Sequence, residues 1–260
     1  MLKGKLFFLS MVLVFVAAGC SSGEEQPVNN EPGEFGTYVS GTLPYRMMKI
    51  NVTEEVKPVI VMYLHGGSSK GNDNELQLKE AAVSVIADYL YAKSIPSIFI
   101  VPQCPSSASW GAKMNEALAN LLAGYEQESD GIYLLGGSMG GTGTWFLANT
   151  YPDKFRGIMP VAGKPGTAAA ENFKSMRVCT VMSEADLVMK TAYIDVKSFC
   201  DKINAAGGNA LCTIVPSSDA WSHEMTCEQS YTEQRLNWLF GKQRYIRQFA
   251  YNRFISYLFL

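Results

Sequence analysis

Residues 133–145 read YLLGGSMGGTGTW, five glycines around a single serine, Ser138. An apolar run, GIYLLGG (131–137), leads into it, and GTWFLANTYP carries helical spacing onward as far as Pro152. Three physical readings compete: a nucleophile on a sharp strand-to-helix turn, a loop that cradles phosphate, or a glycine-rich bend. The phosphate readings fail on residues. A Walker loop ends in Gly-Lys-Ser/Thr, whereas Gly141 runs straight into Thr142. The dinucleotide fingerprint needs a glycine where Phe146 stands. The nucleophile reading fits the G-x-S-x-G pattern of Gly136, Ser138 and Gly140. Small neighbours let strand and helix approach each other, and a strained serine then projects its hydroxyl at the helix N-terminus.

The same strand-then-helix alternation runs along the chain. Apolar runs at 58–65, 97–103, 131–137, 157–163, 177–184 and 210–217 read as buried strands. Helical spacing covers 75–93, 112–127, about 191–206 and 224–240. Such alternation implies right-handed crossovers and a mostly parallel, doubly wound sheet with helices on both faces. GTYVSGTLPYRMMKINV (36–52) reads as an antiparallel edge hairpin. The expected α/β domain spans 41–242, within a chain of 260 residues that is 47% hydrophobic and 18% charged. The net charge of −2 comes without any basic run. That excludes a surface built to track a phosphate backbone, and no nucleic-acid partner is expected.

A serine nucleophile needs a base, and the chain offers two histidines. His65, in YLHGG, ends the first buried strand and reads as a brace for its own loop. His223, in DAWSHEMTC, follows the last strand and so lies on the same C-terminal sheet edge as Ser138, where doubly wound sheets bind ligands. His223 is therefore the expected base. An orienting acid belongs between them in chain order. Asp186 stands just past a strand in VCTVMSEADLVM, with Glu184 as its rival. Asp195, Asp201 and Asp219 fall in helical or turn segments that suit solvated or capping roles. The backbone N–H groups of Gly67 and of Met139 are the expected oxyanion donors. No metal site is expected, since no Cys/His cluster has ligand spacing.

The chain begins differently. MLKGKLFFLSMVLVFVAAGC has Lys3 and Lys5, an apolar run from Leu6 to Ala18, and then Gly19-Cys20. This is the layout of a secretory signal peptide (1–19), too short to span a membrane comfortably. AAGC resembles a bacterial lipobox, which implies lipidation of Cys20 and a membrane link through that anchor alone. Residues 20–40, starting SSGEEQPVNNEPGEFG after the cysteine, read as a flexible tether. The expected location is the bacterial cell envelope, outer-membrane anchored, periplasmic or surface-exposed. Past the leader, Cys104, Cys179, Cys200, Cys212 and Cys227 make an odd set, which leaves at least one thiol unpaired within the chain. The tail 243–260 is aromatic and basic; packing on the domain is the favoured expectation, with membrane contact or an accessory segment without a catalytic part as the alternatives.

YLHGGSSKGNDNELQL, VPQCPSSASWG, LLGGSMGGTGTWFLANTYPDKF, SEADLVM and AWSH, in that order, resemble the α/β-hydrolase family over about residues 41–242. Within it the chain is similar to single-domain esterases, including feruloyl and acetyl-xylan esterases, and to prolyl-oligopeptidase-like catalytic domains. The resemblance implies Ser138 as nucleophile, His223 as base, Asp186 as orienter, and no metal or organic cofactor. It also implies that Trp110 and Gln103 line an acyl pocket, beside a plain packing role for both. The implied activity is hydrolysis of carboxylic esters on carbohydrate through an acyl-enzyme. The alternatives are a peptidase, or a non-catalytic lipoprotein that binds glycans or partners on this fold. Many relatives carry a cap where Lys164 to Met176 supplies 13 residues. No large cap domain, and hence an open cleft, is expected.

Overall fold

The computed structural model describes residues 33–241. The expectations for residues 1–32, including the signal peptide, Cys20 and most of the tether, lie outside the described residues, as does the 243–260 tail.

Among the described residues eight strands form one sheet: β1 (Gly36–Ser40), β2 (Leu43–Ile50), β3 (Val59–Leu64), β4 (Ser97–Pro102), β5 (Ile132–Gly137), β6 (Gly157–Val161), β7 (Arg177–Ser183) and β8 (Asn209–Val215). Their spatial order is β1-β2-β4-β3-β5-β6-β7-β8. β1 pairs with β2, and β2 with β4, antiparallel. The pairs from β4 through β3, β5, β6 and β7 to β8 are all parallel. The 36–52 hairpin is thus present as β1 and β2. The folded domain consequently starts before residue 41, and the last five residues assigned to the tether are strand β1. They are held by backbone pairing from Gly36 to Met47 through Ser40 to Leu43.

Among the described residues six α-helices accompany the strands: α1 (Ala81–Ala92), α2 (Ala112–Glu126), α3 (Met139–Thr150), α4 (Ala192–Ala205), α5 (His223–Gln229) and α6 (Glu233–Phe240). The central strands are buried on both faces, which explains their continuous apolar runs. Alternation within β3 divides the core in two. Ile60, Met62 and Leu64 join Leu118, Leu121, Trp145, Leu147, Val196 and Phe199 beneath α2, α3 and α4. Val59, Val61 and Tyr63 join Val83, Ile86, Leu90, Leu236 and Leu239 beneath α1 and α6. Each fully buried side chain of this size contributes about 1.5–3 kcal/mol of apolar transfer. Trp145, Phe173 and Phe199 meet edge-on, with ring centroids 5.3–5.5 Å apart.

Two helices differ from their sequence pattern. The span 75–93 breaks into a 3-10 turn, Leu76–Lys79, and α1, because Glu80 is extended with φ −69° and ψ 127°. The span 224–240 breaks between α5 and α6, where Thr232 caps α6 by accepting from Arg235 N. Between β6 and β7 there is only a short 3-10 turn, Ala170–Phe173, whose Phe173 is buried in the core. No cap domain stands at that place.

Candidate active site

β5 delivers Ser138 onto a turn with φ 56° and ψ −116°. A non-glycine residue held there costs roughly 1–3 kcal/mol and persists only where its surroundings fix it. They do so on both sides: Ser138 N–H donates to Val161 O at 2.9 Å, and Thr142 N–H donates to Ser138 O at 3.0 Å. The glycines make the close approach possible. A Cβ on Gly136 would sit 2.5 Å from Gly140 O, and one on Gly140 would collide with Leu64 O. Ser138 thereby precedes the first residue of α3, where helix N–H groups lack intrahelical acceptors.

His223 is the first residue of α5, and Ser222 caps that helix by accepting from Met225 N. The Ser138 hydroxyl lies 2.7 Å from His223 Nε2, and His223 Nδ1 lies 2.7 Å from Asp186 Oδ2. Asp186 is buried, and its other oxygen accepts from Val188 N and Met189 N, each at 2.9 Å. A carboxylate so placed accepts from Nδ1–H, which leaves the Nε2 lone pair to accept from the Ser138 hydroxyl. Glu184, the rival acid, turns away and accepts from Ser217 N at 3.0 Å. Asp195 lies in the first turn of α4, Asp201 pairs with Lys197, and Asp219 belongs to a short 3-10 turn. Ser183 ties the acid loop to the base loop: its hydroxyl donates to Trp221 O at 2.8 Å and accepts from Ala185 N at 3.1 Å.

The loop after β3 forms the facing wall. His65 is fully buried, with Nε2 accepting from Cys104 N at 2.9 Å and Nδ1 2.6 Å from Gly66 O. Burial lowers its pKa below the ordinary 6.5, so it braces the loop as a neutral ring. Trp110 and Gln103 do not line the cleft. The Trp110 indole is buried against His65 and donates to His65 O at 3.0 Å. Gln103 is buried as well, accepting from Asn74 N at 2.6 Å and donating to Asp73 Oδ1 at 2.7 Å. Both side chains satisfy loop backbone and loop acid from behind, which leaves neither a polar atom for substrate.

The cleft has a volume of about 680 Å³ and is lined by Gly66, Gly67, Ser138 and His223, with Glu80 and Cys227. Met139 follows Ser138 directly and opens α3. Burial pushes the Cys227 thiol up to about 12, so it is a neutral group at the cleft floor. Cys104, Cys179, Cys200, Cys212 and Cys227 are all free thiols. Among the described residues no group of three or more His, Cys, Asp or Glu could hold a metal ion, and no helix is long and apolar enough to cross a membrane. Glu80 is a residue that sequence patterning gave no reason to select. It sits inside what reads as one helix, and only the folded loop reveals what it touches.

Strand order, the strained serine turn and two-sided helix packing together define an α/β-hydrolase fold. Solved structures agree with it. A thermostable esterase superposes with a TM-score of 0.71 at 25% identity, covering 80% of this chain and 62% of its own. The chain therefore spans less than two thirds of that esterase. The substrate-bound fluorophosphonate-binding serine hydrolase FphF of Staphylococcus aureus has a TM-score of 0.59 at 16% identity, covering 82% of this chain and all of its own. The feruloyl esterase module of Clostridium thermocellum, complexed with sinapinate, has a TM-score of 0.55 at 15% identity, covering 81% and 91%. No family model matches the sequence, and no curated protein does.

Proposed function

We propose that the protein is a serine-dependent carboxylic ester hydrolase in which Ser138, His223 and Asp186 form the catalytic triad. The observation that carries this reading is the unbroken chain of 2.7 Å contacts from Ser138 Oγ through His223 to Asp186, with the serine on a strained turn. His223 Nε2 takes the Ser138 proton as Oγ attacks the ester carbonyl carbon. The carbonyl oxygen becomes an oxyanion held by the N–H groups of Gly67 and Met139. As the tetrahedral adduct collapses, the C–O bond to the alcohol breaks and His223 returns the proton to it. Water, deprotonated by the same histidine, then releases the acid and restores Ser138.

The substrates we assign are acyl or feruloyl esters of polysaccharide-type carbohydrate. The cleft is not covered by a cap at 164–176, which suits an ester displayed on a polymer. The feruloyl esterase neighbour supports the same class. We also infer, from the leader residues alone, an enzyme lipidated at Cys20 and held on the bacterial envelope. Cys20→Ala should move it from the membrane to the soluble fraction; an unchanged distribution removes the anchor.

The test of the central reading is labelling by a fluorophosphonate probe, alongside hydrolysis of acetyl, feruloyl and longer-chain nitrophenyl esters. Wild type should label and turn over, and Ser138→Ala should do neither. Folded wild type that takes no label ends the esterase reading, and preference for the longest chains ends the carbohydrate assignment.

A further inference from the structure

We propose that Glu80 is a positioning residue that sets the oxyanion hole, acting through the backbone of Gly66. The inference rests on the esterase reading above. Glu80 stands at the N-cap position of α1, but its side chain makes no capping bond there. It reaches the loop after β3 instead. Oε1 accepts from Gly66 N–H at 2.7 Å and from the Ser69 hydroxyl at 2.7 Å, while Oε2 accepts from the Tyr63 hydroxyl at 2.7 Å. Three short, charge-assisted bonds on one carboxylate pin the end of β3 and the far side of the loop to a single point.

Two consequences follow for the hole. First, the Gly66 amide is committed to Glu80, so of the two glycines in this loop it is Gly67 whose N–H is left for an oxyanion. Gly67 begins the 3-10 turn Gly67–Ser69, where the N–H has no intrahelical acceptor, and it lines the cleft. Second, Gly66 is held between the carboxylate and the nucleophile. A Cβ placed on it would lie 3.3 Å from Glu80 Oε1 and 3.7 Å from Ser138 Cβ. The peptide that carries the Gly67 N–H follows directly on the amide that Glu80 holds, and its own carbonyl, Gly66 O, accepts from Ser69 N at 3.3 Å and lies 2.6 Å from His65 Nδ1. Fixed donors stabilise a developing oxyanion because they need no reorientation as charge appears. The break between the 3-10 turn and α1 has the same origin: a continuous helix from Leu76 would not leave Glu80 extended.

Glu80→Ala, Glu80→Asp and Glu80→Gln test this, with kcat expressed per fluorophosphonate-labelled serine and Tm measured in parallel. Glu80→Ala should lower kcat by about 10²-fold, the scale of losing one oxyanion donor, with KM nearly unchanged. Glu80→Asp, one methylene short of Gly66, should also lose kcat, and it keeps the test available if the alanine variant fails to fold. Glu80→Gln should recover much of the rate. Its carbonyl can still accept from Gly66 and Ser69, and the Tyr63 hydroxyl can turn to accept from its amide. Affinity for an arylboronic acid, which mimics the tetrahedral adduct, should fall with kcat across the series. A lowered Tm with wild-type kcat per labelled serine in Glu80→Ala or Glu80→Asp overturns the proposal and leaves a mere brace. Wild type that neither labels nor hydrolyses any ester overturns the esterase reading itself, and the two failures are thereby told apart.

Discussion

At the scale of single residues, Asp186 offers the sharpest case. One of its oxygens is already occupied by the N–H groups of Val188 and Met189, so the other must face His223. In Asp186→Asn the carbonyl would keep the two amides and the NH₂ would be forced toward Nδ1. The ring would then carry its proton on Nε2 and could no longer accept from Ser138. We expect kcat to fall by about 10³- to 10⁴-fold with little change in Tm. A variant within tenfold of wild type would show that Asp186 does not select the tautomer. His65 gives a stability prediction of known sign. Burial lowers its folded pKa beneath the ordinary 6.5, so over the interval between the two values the unfolded chain holds the proton and the folded chain does not. Stability should therefore be flat above 6.5 and fall as pH drops through that window, by at most about 1.4 kcal/mol per pH unit from this group. His65→Gln, which cannot titrate, should show a shallower acid slope in Tm against pH; parallel slopes would refute the assignment.

At the scale of elements, two glycines in helices should behave oppositely. Gly140, in the first turn of α3, packs against the end of β3, and an added Cβ would strike Leu64 O and come within 2.8 Å of His65 O. Gly140→Ala should cost about 1–3 kcal/mol, lower Tm by several degrees, and displace Ser138 enough to reduce kcat. Gly124 sits exposed in α2 with nothing within 4 Å of where a Cβ would lie. Gly124→Ala should stabilise by about 0.5–1 kcal/mol and leave activity alone. Equal effects at the two sites would mean that the α3–β3 contact relaxes freely. The contrast also shows what sequence patterning can and cannot deliver. Apolar runs match every parallel strand to within two residues; in β3 to β7 burial on both faces leaves little choice of residue, while the edge strand β8 is only half-buried. The serine turn was legible for the same kind of reason, since backbone contact demands glycine. The break at Glu80 was not, because Lys79-Glu80-Ala81-Ala82 has ordinary helical composition and the carboxylate's partners lie 11, 14 and 17 residues upstream. For Gln103 and Trp110 pattern left lining and packing both open, since it does not say which way a side chain points once a strand has ended; both side chains are buried within the loop. The break before α6 did leave a trace, Thr232 followed by Glu233, which suits an N-cap with acid in the first turn.

At the scale of the whole molecule, the candidate triad exists because three separate strands end on one edge of the sheet. Ser138 follows β5, Asp186 follows β7 and His223 comes after β8, while Gly66 and Gly67 follow β3, which flanks β5 on the side away from β7. Parallel order makes those ends neighbours, and two independent cores on opposite faces hold the strands in register. Between β6 and β7 the chain has only residues 162–176, a loop and one 3-10 turn, too short for a cap domain. The 3-10 turn there anchors Phe173 into the core beside Trp145. A lipase-type cap must be displaced before substrate enters, and its opening at a lipid surface produces a jump in rate. Here that position holds a loop and a 3-10 turn whose Phe173 is buried in the core. Hydrolysis of a short nitrophenyl ester should therefore follow a simple saturation curve, with no step as substrate passes its solubility limit or as micelles form. An ester carried on soluble oligosaccharide should be cleaved without the penalty that a closed site would impose. The measurement is initial rate against substrate concentration across the solubility limit, with and without detergent. A sharp rise at the limit would require a mobile cover over the cleft built from some other segment, and it would favour lipid-like substrates over carbohydrate-linked ones.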